Sequence, residues 1–198
     1  MPHAARHRPS PPLQGTLPSL NRGAVERALS VALALNCEVS PRSYFDRKQY
    51  FYADLSKGYQ ITQQRAPLAI NGRLDLPAAA IKPRGAKKEG RAGAPQSSSS
   101  APLSTSRSIG IERMHLEEDA ARTQYVGSQA LRGATGALLD FNRAGVPLLE
   151  IVTRPDLRSA AEAAAAGAEL RRVLRALGAS SASMARGAMR VDVNVSVR

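Results

Sequence analysis

The sequence contains a single cysteine, Cys37, and this scarcity excludes two kinds of structure. With one thiol, no disulfide can form within the chain and no cysteine-rich metal site can be built. No run of apolar residues reaches the roughly 20 residues that a membrane-spanning helix needs. Hydrophobic residues still make up 43% of the 198 residues, so the chain can bury a sizeable core. We therefore expect essentially one domain with no membrane partner.

Acidic residues are scarce as well. The chain has 16 Asp+Glu against 28 Lys+Arg, which gives a formal net charge of +12 and favours RNA, DNA or nucleotide phosphates as partners. Against this background the stretch MHLEEDAAR, residues 114–122, is unusual because it places a histidine beside three consecutive acids. Carboxylates packed so tightly repel one another unless water, arginines or a metal ion compensate their charge.

Two segments are too poor in large apolar residues to fold. Residues 1–14 are rich in proline and histidine, and we predict that they form a disordered N-terminus. Residues 82–108 are a low-complexity stretch with six basic side chains and one acid. Because such a segment cannot bury enough surface to offset its ordering entropy, we interpret it as a disordered insertion in a domain that covers residues 15–198.

Two helices are predicted from apolar spacing and capping residues. The first follows Asn21, stops near Asn36 and has an apolar face, formed by Val25, Ala28, Leu29, Ala32, Leu33 and Leu35. The second follows Ser159, which has capping-box spacing to Glu162, and Gly178 suits its exit. Its buried stripe is predicted to consist of Leu170, Val173, Leu174 and Leu177.

Strands are predicted at residues 109–115, twice within 138–152, and at the end of the chain. In residues 189–198 the apolar and polar residues alternate strictly, which is typical of a strand with one buried face. Strands of this kind separated by helices predict an α+β fold with a largely antiparallel sheet and flanking helices.

Glu150 lies within VPLLEIV, a run that otherwise reads as a buried strand. An unpaired carboxylate there would be costly, so a partner is expected. A structural ion pair is the commoner answer. The alternative is Mg²⁺, which needs several hard oxygen ligands. Further carboxylates are available at Glu117, Glu118, Asp119 and Asp192.

The stretch FDRKQYFY, residues 45–52, interleaves basic and aromatic residues. This pattern is typical of a surface that stacks bases and binds the phosphates of single-stranded nucleic acid. Aromatic residues at this density can equally form part of a core, and the sequence leaves both interpretations open.

Five stretches together resemble the B subunit of the aspartyl/glutamyl-tRNA amidotransferase family, in that family's order. They are GTLPSLNRGAVERALSVALALNCEV, FDRKQYFYADLSKGYQI, IGIERMHLEEDAAR, LLDFNRAGVPLLEIVTRPDLRS and GAMRVDVNVSVR. The resemblance implies a glutamine synthetase-like cradle domain. That cradle would be incomplete at both ends, because the Gly-Leu-Glu-Val-His strand that opens the family and its later domains have no counterpart here.

The resemblance also implies the function. Members of the family use ATP and Mg²⁺ to phosphorylate the side-chain carboxylate of Glu-tRNA(Gln) or Asp-tRNA(Asn), and ammonia derived from glutamine then gives Gln-tRNA(Gln) or Asn-tRNA(Asn). The implied class is a glutamine-hydrolysing, ATP-dependent carbon–nitrogen ligase. The expected partners are an amidase (glutaminase) subunit and a small third subunit, in a heterotrimer, together with the misacylated tRNA.

Site residues follow from the matching motifs. By resemblance Glu118 and Glu150 are metal ligands, which requires them to meet across a sheet. Lys48 corresponds to a lysine near the ammonia path. Asp192, Arg190 and His115 are expected to line the site, the last two beside the nucleotide and cation.

A second interpretation stays open, namely that the chain is a truncated, catalytically inactive remnant that binds RNA or a partner subunit. The composition favours a mitochondrion or a chloroplast as its compartment. The insertion at 82–108 is long and rich in Ala, Arg and Ser, and the first 25 residues contain arginines and no acid, which resembles an organelle transit sequence. The bacterial cytoplasm is the alternative.

Overall fold

The computed structural model describes residues 17–49, 51–77, 81, 106–128 and 132–197. The predicted disorder of residues 1–14 and of most of the insertion lies outside these residues. Only the end of the insertion can be compared, and there the prediction is wrong: Arg107 and Ser108 already belong to a strand, where they pair with Leu76 and Asp75.

The described residues form eight strands and two helices. In chain order the elements are α1 (Arg22–Ala34), β1 (Glu38–Val39), β2 (Asp46–Gln49), β3 (Tyr59–Thr62), β4 (Ala69–Leu76), β5 (Arg107–Glu118), β6 (Arg122–Val126), β7 (Gly136–Asp140), β8 (Pro147–Thr153) and α2 (Ala160–Ala176). The main sheet has the order β1-β4-β5-β8, and β2-β3 and β6-β7 form separate two-stranded ribbons. All pairings are antiparallel, which confirms the predicted α+β class. The likeness to the glutamine synthetase cradle stays a prediction.

Helix α1 begins and ends where the sequence predicts. The side chain of Asn21 accepts a hydrogen bond from the backbone N–H of Ala24 at 3.2 Å, and Asn36 ends the helix in a left-handed conformation with φ of 52°. Val31 is buried, whereas Leu33 is 65% exposed, so the predicted apolar face is wrong at Leu33. The other five predicted residues are buried or packed against the core clusters, and Val31 joins them.

Helix α2 begins at the predicted cap, where Ser159 Oγ accepts a hydrogen bond from the backbone N–H of Glu162 at 3.3 Å. Leu170, Val173 and Leu174 pack against the core as predicted. The prediction of burial is wrong for Leu177, whose exposure is 42%. This residue lies beyond the last helical residue and past the turns that pack on the sheet.

Both helices contribute to one apolar cluster with the main sheet. Its largest fully buried members are Leu35, Leu76, Ile109, Ile111, Met114 and Val31. Strand β4 supplies part of this cluster although no strand was predicted there. Its close approach to the end of α1 requires Gly72, because a Cβ at that position would lie 2.2 Å from Cys37 Sγ.

The predicted C-terminal strand is wrong for the described residues 189–197. This segment forms no ladder, and Val193, Val195 and Val197 are 60%, 87% and 98% exposed. Alternation gives a segment one apolar face, but a strand also needs a neighbour that completes its hydrogen bonds. No strand in the described ranges pairs with it.

We predict that residues 82–105 can be replaced by a four-residue Gly-Ser linker without loss of the fold. Leu76 and Arg107 are already register partners, so a short loop can close between them, and a shorter loop costs slightly less entropy. Thermal unfolding followed by circular dichroism should stay cooperative, with a midpoint that is unchanged or a few degrees higher.

Ile81 is kept in this replacement because it packs against the core, and Ile81→Ala in the unmodified chain serves as the comparison. That substitution should lower the midpoint more than the loop replacement does. A loop variant that unfolds without cooperativity would contradict the prediction.

Candidate metal centre

A histidine and two glutamates converge where β5 pairs with β8. His115 and Glu150 are direct register partners, and Glu117 lies two residues along β5 on the same face. His115 Nε2 is 3.1 Å from Glu150 Oε2 and 3.3 Å from Glu117 Oε1. One ligand atom of each residue lies within 4.8 Å of the others, so the three side chains can reach a common cation. We call these three residues the trio.

The trio is anchored on one side and open on the other. The side chains of His115 and Glu117 are 5% and 13% exposed, whereas that of Glu150 is 51% exposed. The second ring nitrogen of His115, Nδ1, is buried and has no hydrogen-bond partner among the described residues. Solvent and solutes therefore reach the trio from the side of Glu150.

Glu117 is held ionised by its neighbours on the β2-β3 ribbon and β5. Burial raises the pKa of Glu117, but hydrogen bonds from His115 and Thr62 and the positive charge of Lys48 outweigh it and bring the pKa below its ordinary value. Thr62 Oγ1 donates to Glu117 Oε1 at 2.8 Å, and Gln60 Nε2 lies 3.4 Å from Glu117 Oε2. Lys48, opposite Gln60 in the ribbon, is thus close enough to act on the trio electrostatically.

The donor set fits a divalent cation. Two carboxylates and one imidazole supply hard oxygen ligands and one nitrogen, and they leave positions free for water or phosphate oxygens. Among the described residues this is the only cluster of His, Cys, Asp and Glu whose ligand atoms converge in this way. The same atoms also form a hydrogen-bonded His–carboxylate group. The two partners considered for Glu150, an ion pair and a cation, would therefore involve the same side chains.

Glu118 does not join the trio. As the next residue on β5 it faces the opposite side of the strand, and its register partner is Pro147 rather than Glu150. Its carboxylate forms an ion pair with Lys57 and accepts a hydrogen bond from the backbone N–H of Ile61 at 3.2 Å. The structure therefore brings Glu150 together with His115 and Glu117, and the role of Glu118 as a metal ligand stays a prediction without geometric support.

Glu117 is the member of the trio that was not predicted to be a site residue. The available signal was parity: once His115 pairs with Glu150, only residues an even number of positions from His115 share that face. That pairing could not be predicted from the sequence, and without it the two adjacent glutamates could not be told apart.

Arg190 and Asp192 lie at the surface. Their side chains are 83% and 73% exposed and form an ion pair at 3.2 Å, and Asp192 is not part of the trio. The three consecutive acids 117–119 form an acidic run, and Arg190 acts on it through Asp119. Burial raises the pKa of Asp119, while the charges of Arg143, 3.0 Å away, and of Arg190 oppose that increase. Arg190 is thus placed beside the acidic run, whereas its proposed contact with a nucleotide stays a prediction.

The described aromatic residues in and next to the FDRKQYFY stretch lie mostly on the surface. Tyr44, Phe45, Phe51 and Tyr52 are 56%, 38%, 85% and 67% exposed, which favours the stacking surface over the core interpretation. Tyr59 is the exception: it is buried, with Lys57 Nζ 4.6 Å from the centre of its ring.

Neither helix of the described residues is long and apolar enough to cross a bilayer.

We predict that Thr62→Val destabilises the fold by roughly 1 kcal/mol at neutral pH, because Glu117 loses a hydrogen bond to its charged form. A carboxyl group whose pKa is lowered by folding stabilises the fold above its unfolded pKa, and this contribution is lost as pH falls through the lower folded pKa. The difference between variant and wild type should therefore shrink as the solution is acidified.

Urea unfolding between pH 7 and pH 3 measures this difference. Thr123→Val makes the same change on β6, in the separate β6-β7 ribbon, and its effect should not vary with pH in this way. An effect of Thr62→Val that is constant with pH would mean that the hydroxyl does not act through Glu117.

Comparisons with known proteins give the chain relatives along nearly its whole length. The model of the GatB/GatE catalytic domain matches residues 7–198. The B subunits of the aspartyl/glutamyl-tRNA(Asn/Gln) amidotransferases of Synechococcus elongatus and Thermosynechococcus vestitus are 45% and 46% identical over 94% of this chain. The B subunit of the glutamyl-tRNA(Gln) amidotransferase of the organellar chromatophore of Paulinella chromatophora is 45% identical over the same share. The chain covers 34%, 33% and 34% of these three proteins, respectively, or about a third of their length.

Proposed function

The chain belongs to the family of GatB/GatE catalytic domains, and on this premise we propose that it takes part in the ATP-dependent amidation of misacylated tRNA. The substrate would be Glu-tRNA(Gln) or Asp-tRNA(Asn), in keeping with the names of its relatives. A carboxylate is a poor electrophile, so its phosphorylation by ATP would create a leaving group that ammonia can displace. In this proposal the chain acts as part of an ATP-dependent carbon–nitrogen ligase.

The trio is the observation that carries this proposal. His115, Glu117 and Glu150 would hold Mg²⁺, since their ligand atoms converge and Glu117 is kept ionised. The bound cation would supply neutralisation of the phosphate charges of ATP, which is a large part of what phosphoryl transfer requires. The exposed side of Glu150 is the side from which a nucleotide could approach.

Lys48 and the aromatic residues near it have a role in substrate binding in this proposal. Its ammonium group lies close enough to lower the pKa of Glu117, so it borders the trio. From this position it could attract an anionic substrate or line the route of ammonia. The exposed aromatic residues of the neighbouring segment could stack on the unpaired bases at the end of a tRNA.

The expected assembly and compartment are part of the same proposal. We propose that the chain works with an amidase (glutaminase) subunit and a small third subunit, because a site for hydrolysing glutamine is expected in the amidase rather than here. Its similarity to cyanobacterial proteins and to a chromatophore protein favours a plastid or a bacterial cell. A mitochondrial location stays a prediction.

A binding module without catalysis is the second candidate. The observation that favours it is the exposed aromatic and basic segment around Phe51, which could bind RNA or a partner subunit without any cation. This candidate predicts that RNA binding is insensitive to Mg²⁺ and to substitutions in the trio.

We predict that Glu150→Gln strongly reduces ATP-dependent amidation, because the trio loses one of its two charged oxygen ligands. The 198-residue chain is co-expressed with the two partner subunits, and conversion of Glu-tRNA(Gln) to Gln-tRNA(Gln) is measured. We expect a loss of at least about tenfold, as is typical when a metal ligand or its support is removed. The glutaminase activity of the partner without tRNA should be unaffected.

Glu112→Gln is the matched control, since Glu112 lies on the same strand but is exposed and outside the trio. It should amidate at the wild-type rate. Normal amidation by Glu150→Gln would contradict the proposed role of the trio. A wild-type chain that binds tRNA but supports no amidation would favour the binding module instead.

A further inference from the structure

Glu117 and Glu118 are identical side chains at adjacent positions near the end of β5. Because side chains alternate along a strand, one faces His115 and Glu150 and the other faces away. A shift or rotation of the strand end by one residue would exchange them. The register of β5 with β8 favours Glu117, and at the end of the strand a neighbouring charged group can hold this orientation against the alternative.

Lys57 is that neighbour. It forms an ion pair with Glu118, and the two side chains are only 7% and 6% exposed. The same carboxylate oxygen accepts the backbone N–H of Ile61 at 3.2 Å, and the ammonium group of Lys57 lies against the ring of Tyr59. On the inward face of β5, a glutamate therefore has a prepared, positively charged environment.

A buried ion pair of this kind is weak evidence for stability. Removing two charges from water is expensive, and well-packed apolar residues would usually stabilise the fold as well or better. What the pair does provide is selectivity, because it stabilises only the orientation in which Glu118 points inward. Gln60 adds to this selectivity: its Nε2 donates to the backbone carbonyl of Glu118 at 2.7 Å and lies 3.4 Å from the carboxylate of Glu117.

We propose that Lys57 is a positioning residue, which neutralises Glu118 on the inward face of β5 and thereby directs Glu117 towards His115 and Glu150. This inference rests on the proposed function, since it takes the trio to be the cation site. Lys57 itself does not contact the cation in this arrangement.

Manganese binding to the 198-residue chain tests the proposal without any assay of activity. Mn²⁺ affinity is measured by titration calorimetry, with Mn²⁺ alone as the probe. In the unmodified chain, Glu117→Gln should weaken binding at least about tenfold, and Glu118→Gln by less than about threefold. In the Lys57→Met chain, Mn²⁺ binding should be weakened about tenfold, and the two glutamate substitutions should no longer differ.

The chain offers a control for general destabilisation. Glu162 is a mostly buried carboxylate that pairs with Arg107 at the opposite end of β5, far along the strand from the trio. Glu162→Gln should lower the thermal midpoint as Lys57→Met does, while leaving Mn²⁺ affinity unchanged. Lys57→Arg, which keeps the positive charge, should retain most of the affinity. Lys57→Gln, which removes the charge but keeps a polar side chain, replaces Lys57→Met in the comparison if that variant does not fold.

The outcomes separate the two proposals. Mn²⁺ binding that is sensitive to Glu150→Gln but unchanged by Lys57→Met would overturn the positioning role alone. Loss of binding with Glu118→Gln but not with Glu117→Gln would show that Glu118 is the ligand, and would also overturn it. If the unmodified chain shows no Mn²⁺ binding that Glu150→Gln removes, the cation site fails and the positioning role fails with it.

Discussion

The antiparallel pairing of β5 with β8 is the interaction on which the candidate site depends. It places His115 opposite Glu150, and it does so because Leu149 and Ile151, on either side of that glutamate, pack into the core. A slip by one residue would turn both apolar side chains outward and bury the carboxylate in their place. Since burying an unpaired carboxylate is costly, the hydrophobic pattern of β8 fixes the register, and the register assembles the site.

Strand β5 is covered on both faces, and this double burial gives the trio its fixed geometry. Met114 and Leu116 belong to the apolar clusters on one face, while His115 is equally buried on the other. There the cover is the polar ribbon β2-β3, whose Thr62 donates a hydrogen bond directly to Glu117. Side-chain donors thus replace water around an ionised carboxylate, so its position is already determined in the folded chain.

Local signals in the sequence were sufficient for some elements and insufficient for others. Both helices followed from their capping residues, because a cap acts within one turn of chain. The choice of Glu117 over Glu118 depends on the pairing of His115 with Glu150, 35 positions further along the chain, which no local pattern contains. The segment around Val195 shows the opposite limit: its alternation is perfect, yet alternation describes only a preference, and pairing needs a neighbouring strand.

The acidic run in a strongly basic chain now has a physical explanation. Of its three consecutive acids, Glu118 is neutralised by Lys57 and Asp119 by Arg143, each through an ion pair. Glu117 differs from both, because its partner His115 is shared with a second carboxylate, Glu150. The positive charge of Lys48 also acts on Glu117, whereas Glu150 meets the imidazole of His115 on the solvent-facing side of the trio. A divalent cation bound there would relieve the repulsion between the two carboxylates.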